Sequence, residues 1–264
     1  MSLEPLFTAL WQQYVAITPQ AAKIIKLLSE RGESVQNDHV ALRTYALDGV
    51  DIEDLDRAFV SAGFVPTESY DFPTKKLDAC YYEHPRVGVP KVFISALRVH
   101  ELSDEAAAVI HGLVEQMPKG AAAEPFFAAS GRPWQIDSAS YQLLAQESEY
   151  AAWVAAFGFR ANHFTVLINS LTSFANLEEL NTFLIDEGLT LNTAGGVIKG
   201  SPEQFLEQSS TMADEVEVPF KDRTLAIPSC YYEFARRYDM PSGKQFSGFV
   251  PTSADRIFES TNRG

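Results

Sequence analysis

Cysteine is nearly absent from this 264-residue chain. Cys80 and Cys230 are its two, too few for a disulfide framework. Positive charge is scarce as well: 21 lysines and arginines face 35 aspartates and glutamates, a formal net charge of −14. A surface of that sign suits neither nucleic acid nor an anionic membrane, since both are held by basic patches. It also means that an anionic ligand needs a local cation. No run approaches 18 apolar residues, so no membrane span is expected. The N-terminus, MSLEPLFTALWQQYVAI, has no basic leader, continuous apolar stretch or small-residue cleavage site, so no signal peptide is expected. These absences leave a soluble, cytoplasmic protein as the expectation. Histidine is limited to His39, His84, His100, His111 and His163.

What is present is an ordinary globular composition, 46% apolar and 21% charged, in a chain long enough to bury a large core. Residues 1–36 read as two helices. Leu3, Phe7, Leu10, Trp11 and Tyr14 recur at helical spacing. Thr18-Pro19 starts a second helix that Gly32 ends. From Asp38 the period shortens to two, with His39, Ala41, Arg43 and Tyr45 on one strand face. A helix from Asp51 to about Ala62 follows, then strands at about 64–70, 78–84 and 91–98. Residues 37–100 thus form a βαβββ unit. Residues 101–160 read as a helical connection, with Ser103 capping a run to Met117 and Ser138 or Ser140 capping a run through Trp153 and Phe157. Residues 161–264 return to the first pattern. His163, Thr165 and Leu167 share a strand face, and Asn176 and Glu179 open a helix that ends at Gly188. Ser201-Pro202-Glu203-Gln204 predicts another helix, strands are expected at about 214–219 and 224–236, and a short helix at about 252–260.

An internal duplication follows from these elements. Asn37-Asp38-His39 opens one unit and Ala161-Asn162-His163 the other, and Cys-Tyr-Tyr-Glu occurs at 80–83 and 230–233. Glu83 follows His39 by 44 residues and Glu233 follows His163 by 70, leaving 26 for an insertion that holds the Ser201 helix. The expected fold is α+β, a single compact domain over 1–264. Two βαβββ units form a curved mixed sheet around a central metal cavity, with added helices. That geometry is vicinal-oxygen-chelate-like, an analogy of fold alone.

Two histidines at matched positions, with Glu233, make a His, His, Glu set. Two imidazoles and one carboxylate on one face of a metal leave three positions open, the arrangement of non-haem Fe(II) oxygenases. Zn(II) or Mn(II) can use the same ligands. A strand histidine is most often a satisfied core or surface residue, and it is the pairing that shifts the balance. Glu83 is a competing carboxylate. Arg43 shares the His39 face, and its planar fork suits a carboxylate; Arg237 faces inward after Glu233. The tyrosine pairs 81/82 and 231/232 read as sheet packing, with one phenol of each pair able to reach the cavity. Both cysteines read as buried thiols. His84 reads as a strand end, and His100 and His111 as surface residues.

At these residues the chain resembles the 2-oxoadipate dioxygenase/decarboxylase family, also called hydroxyglutarate synthases. The likeness lies in Asn-Asp-His-Val-Ala-Leu-Arg-Thr at 37–44, Arg-Ala-Asn-His-Phe-Thr at 160–165, Tyr-Tyr-Glu-Phe-Ala-Arg-Arg at 231–237 and the tail from Phe246 to Glu259. It implies Fe(II) held by His39, His163 and Glu233 and substrate held by Arg43, with Arg237 and Ser247 as further substrate contacts. The partners implied are a 2-oxo acid and O2. The implied reaction is 2-oxoadipate to 2-hydroxyglutarate and CO2, in lysine breakdown. Family members associated with that activity are longer near the C-terminal part, which leaves the length of this chain's acid open. Two other readings stay open: an O2-independent metal isomerase, lyase or hydrolase on the same scaffold, and a non-catalytic acid-binding module.

Overall fold

The computed structural model describes residues 3–261. Helices α1 (Leu3–Ala16) and α2 (Pro19–Glu30) lead into β1 (Asn37–Tyr45), α3 (Ile52–Ser61), β2 (Val65–Phe72), β3 (Leu77–Glu83) and β4 (Lys91–Leu97). Helices α4 (Asp104–Val114), α5 (Ser138–Glu147) and α6 (Glu149–Phe157) connect to β5 (Ala161–Leu167) and α7 (Leu177–Asp186). Then come β6 (Lys199–Ser201), β7 (Leu206–Ser210), β8 (Glu215–Pro219), β9 (Thr224–Pro228), β10 (Tyr231–Arg237) and α8 (Pro251–Phe258). Among the described residues, no helix is long and apolar enough to cross a membrane.

The strand order is β2-β3-β4-β1-β5-β10-β7-β6. It reads the same from either end when β1–β4 are matched with β5, β6, β7 and β10. The sheet thus consists of two matching halves, which meet at an antiparallel β1–β5 seam. Each half repeats one parallel pair, β1 with β4 and β5 with β10. The outer sheet face packs on α1, where Trp11 and Tyr14 stack with Phe164 and Tyr232, and on α3 and α7. The inner face, which carries His39, His163 and Glu233, is covered by α6 and α8.

The topology corrects the alignment of the two units. Cys80–Glu83 lies on β3, whereas Tyr231–Glu233 lies on β10, the counterpart of β4. Tyr231 pairs with His163 as Lys91 pairs with His39, so Glu233 corresponds to Phe93, not to Glu83. The shared Cys-Tyr-Tyr-Glu is a coincidence of two sheet-forming stretches.

The Ser201 helix is also absent. Pro202–Gln204 is a single 3-10 turn joining β6 to β7, as Pro73–Lys75 joins β2 to β3, and each turn is followed by a left-handed residue, Phe205 and Lys76. Gly200 is required here, since its φ is +82° and a Cβ would collide with the Leu206 carbonyl oxygen. The second unit's insertion is largely the β8–β9 hairpin. Between Thr224 and Arg237 the chain breaks at Ser229-Cys230, so one expected strand is two. The run after Ser103 stops at Val114 rather than Met117. The run to Phe157 is two helices, capped by Asp137 and by Ser148 at its break. Cys230 is buried, which pushes its thiol up to about 12, but Cys80 is only partly covered.

Candidate metal centre

His39 and His163 face each other across the seam, and Glu233 reaches them from β10. Their ligand atoms all lie within 4.8 Å of one another. His163 Nε2 is 3.1 Å from Glu233 Oε2, and His39 Nε2 is 3.8 Å from Glu233 Oε1. All three side chains are buried. The register of the seam explains the convergence. Asp38 is skipped between the Asn37 and His39 pairings, and Asn162 between those of His163 and Ala161. Each is the extra residue of a bulge, which lets it turn to the same side as the histidine after it. Asp38 Oδ1 is 2.8 Å from His39 Nδ1, and Asn162 Oδ1 is 3.1 Å from His163 Nδ1.

Those contacts orient both imidazoles. The Asp38 carboxylate at His39 Nδ1 places the proton there and leaves Nε2 a lone pair directed at the chamber, and Asn162 turns His163 so that its Nε2 faces Glu233. Thr165 Oγ1 then donates to His39 Nε2 at 3.0 Å. The two imidazoles and the carboxylate converge in a space that water barely enters, and a cation there would satisfy all three. The donor set fits a divalent transition metal. Phe93 stands at the position that corresponds to Glu233, so the first unit adds an apolar wall and the metal face stays three-sided.

The surroundings set the charges. Burial opposes ionisation of Glu233, but His39, His163 and the Gln208 amide outweigh it and hold the carboxyl below its usual range. Gln208 Nε2 donates to Glu233 Oε1 at 2.5 Å. Burial lowers the His163 pKa, and its contact with Glu233 only partly offsets this. Burial also opposes charge on Asp38, yet Arg237, and next His39, hold it well below the ordinary carboxylate value.

Arg237 is buried, as expected. Its Nε and Nη2 donate to Asp38 at 2.6 and 2.8 Å, and Nη1 to the Phe246 and Gly248 carbonyls. It belongs to a chain Arg237–Asp38–His39 behind the cluster. Ser247 is half-buried on the loop after β10 and hydrogen-bonds the Tyr81 phenol. Glu83 ends β3 and is not in the cluster.

Arg43 is 1% exposed. Its Nη1 donates to Glu149 Oε1 at 3.0 Å and its Nη2 to Thr261 Oγ1 at 3.3 Å. Its Nε is buried without a partner. Burial works against its charge, but Glu149 and the Tyr231 and Tyr150 phenols sustain it. Tyr231 stacks on His163 at 4.7 Å, and its buried hydroxyl also has no partner. The chamber is closed by Phe249, which meets His39 edge-on at 4.8 Å, and by Ala254, Ile257 and Phe258 of α8. Its free volume is about 20 Å³, room for an ion or one water.

Gln208 and Glu149 were not found from the sequence. Gln208 lies on β7, a strand hidden by its polar composition, and Glu149 is 106 residues from Arg43. The remaining histidines fall away from the chamber: His84 just after β3 against Phe64, His100 exposed after β4 and His111 on α4.

The arrangement has known counterparts. The family model for 2-oxoadipate dioxygenase/decarboxylase matches residues 5–119 and 122–247. A rice protein (Oryza sativa subsp. japonica) named 2-oxoadipate dioxygenase/decarboxylase, chloroplastic/amyloplastic, is 36% identical over 94% of this chain and 76% of its own length. The crystal structure of a rice hydroxyglutarate synthase in complex with 2-oxoadipate superposes with a TM-score of 0.93. It is 34% identical over 98% of this chain and 91% of that one. A Shewanella frigidimarina protein described as a hydrolase is 52% identical, with a TM-score of 0.90 over 94% and 97% of the two chains. A Ralstonia eutropha protein of the glyoxalase superfamily shares the fold at 18% identity, with a TM-score of 0.74 over 92% of this chain and 84% of that one.

Proposed function

The chain belongs to the 2-oxoadipate dioxygenase/decarboxylase family, and from that premise we propose that it converts 2-oxoadipate and O2 into 2-hydroxyglutarate and CO2. Atoms balance without a second co-substrate: one carboxyl leaves as CO2, and both oxygen atoms of O2 end in the products. The observation that carries the reading is the buried three-donor face of His39, His163 and Glu233, since three protein donors would leave coordination positions of a bound metal for a 2-oxo acid and O2. Fe(II) bound there would supply the O2 and decarboxylation chemistry.

The chain's own residues do the rest. Asp38 and Asn162 fix which imidazole nitrogens face the chamber. Gln208 holds the Glu233 carboxylate by one oxygen. Arg43 is the cation that an organic acid needs in a chain of net charge −14, and its fork suits a carboxylate. Phe93, Phe249 and Phe258 keep water from the reacting centre. We place the reaction in lysine breakdown on the strength of the proposed substrate.

The test is O2 uptake by protein reconstituted anaerobically with Fe(II) and given 2-oxoadipate and a panel of shorter and longer 2-oxo acids. O2 consumption matched by CO2 and a hydroxy acid is expected. Iron bound stoichiometrically with no uptake from any acid would overturn the dioxygenase reading. It would favour O2-independent chemistry, such as the hydrolase description of the Shewanella relative implies for that protein.

A further inference from the structure

The 20 Å³ chamber cannot hold a six-carbon acid, so a substrate must displace protein atoms. The structure shows which atoms stand in the way. Beside the chamber lies a cleft of about 340 Å³, lined among others by Lys75, Lys76, Glu149, Tyr150 and Phe258. Phe258 lines both spaces and is the partition between them. Glu149 lines the cleft and reaches inward to Arg43, its side chain 31% exposed against 1% for the arginine. An unpaired guanidinium buried among Tyr150, Trp153 and Phe258 would be costly, so some anion must face it when no acid is bound.

We propose that Glu149 is the resident counter-ion of Arg43, that an incoming carboxylate replaces it, and that the cleft is the entrance. This rests on the proposed function for the identity of the acid, but not for the exchange itself. Glu149 engages a single nitrogen, Nη1, and leaves Nε without a partner. A carboxylate that spans Nε and an Nη gains the second bond that Glu149 forgoes. The released glutamate has a favourable place to go. It is the first residue of α6, where the helix N-terminus favours negative charge, and it opens onto a cleft that Lys75, Lys76 and Glu147 also line.

Calorimetric titration without O2, using Mn(II)-loaded protein and the probes 2-oxoadipate and glutarate, tests the exchange. Glu149→Gln is expected to bind both diacids about tenfold tighter than wild type with unchanged Mn(II) affinity. Unchanged or weaker diacid affinity in Glu149→Gln overturns the proposal. If 2-oxoadipate fails to bind but glutarate binds and tightens in Glu149→Gln, the counter-ion role stands and the proposed substrate falls. If neither acid binds either protein, the counter-ion role falls too. Phe258→Ala tests the entrance independently of Glu149→Gln folding. Its diacid association rate is expected to rise at least fivefold in stopped-flow mixing, and an unchanged rate overturns the placing of the entrance.

Discussion

Replacing Arg237 by leucine, the residue that its counterpart Leu97 already is, isolates the support behind the metal ligands. Arg237 and Asp38 are both about 2% exposed or less, and they meet through two bonds of 2.6 and 2.8 Å. Removing one partner of such a pair strands a charge in a low-dielectric interior, at about 3–5 kcal/mol. The carbonyls of Phe246 and Gly248 lose their donor as well, at about 1 kcal/mol each. A loss of roughly 5–7 kcal/mol is therefore expected for Arg237→Leu by urea denaturation at pH 7. Asp38→Asn alone should be costly too, because it leaves the guanidinium unpaired. The double variant should recover about 2 kcal/mol over the sum of the singles, since a neutral amide still accepts from His39 Nδ1 and no charge is stranded. Metal affinity should fall about 10–100-fold in Arg237→Leu, because Asp38 no longer holds the imidazole firmly. A cost below about 1 kcal/mol, or strictly additive single costs, would refute the reasoning.

Glu233→Gln should lose stoichiometric metal, measured by elemental analysis, and with it O2 uptake; retained metal would sink the ligand assignment, and Glu83, on another strand, is not part of the described cluster. Arg43→Lys should keep metal content but weaken 2-oxo acid binding about tenfold or more, because an ammonium cannot replace a planar fork; unchanged affinity would remove Arg43 from the substrate site. Glu33 clamps the loop at 172–173 through the Thr172 and Ser173 amides and the Thr172 hydroxyl. Burial opposes its charge, but these bonds hold its carboxyl below the usual value. Its contribution is thus present above about pH 4.3 and is lost as pH falls through the lowered value. Glu33→Gln should melt lower than wild type at pH 7, with the gap closing below pH 4; a gap that is independent of pH would contradict the clamp.

The cluster of His39, His163 and Glu233 was legible because two rare histidines stand at equivalent strand positions of the two halves. Glu233 was reached by a faulty route, however, through a tetrapeptide match that the strand order dissolves. It occupies the place of Phe93, and no sequence alignment on Cys-Tyr-Tyr-Glu could show that. Strand β7 was missed because Leu206-Glu-Gln-Ser-Ser has none of the β-branched residues of a packed strand. Its inward positions include Gln208, which the centre needs polar. The bulges at Asp38 and Asn162 depend on pairing across the seam, which local periodicity does not encode. Arg237 is buried as expected, but its pairing with Asp38, 199 residues away, was not legible.

The strand order also fixes when during synthesis the centre can exist. The first unit closes on itself through β1–β4 and contains one ligand. The seam adds His163 with β5. Glu233 arrives last, when β10 inserts between two strands already made, β5 and β7. Such long-range closure is slow compared with local folding. A nascent chain that has emerged only as far as β9 therefore offers two imidazoles and no carboxylate, a weak site that favours whichever metal binds nitrogen most strongly. Only the finished chain presents the mixed face, and only then can α8 fold down over it. The three-donor face is thus completed only at the end of assembly, and loss of the last strand would remove its carboxylate while leaving most of the sheet's pairings in place.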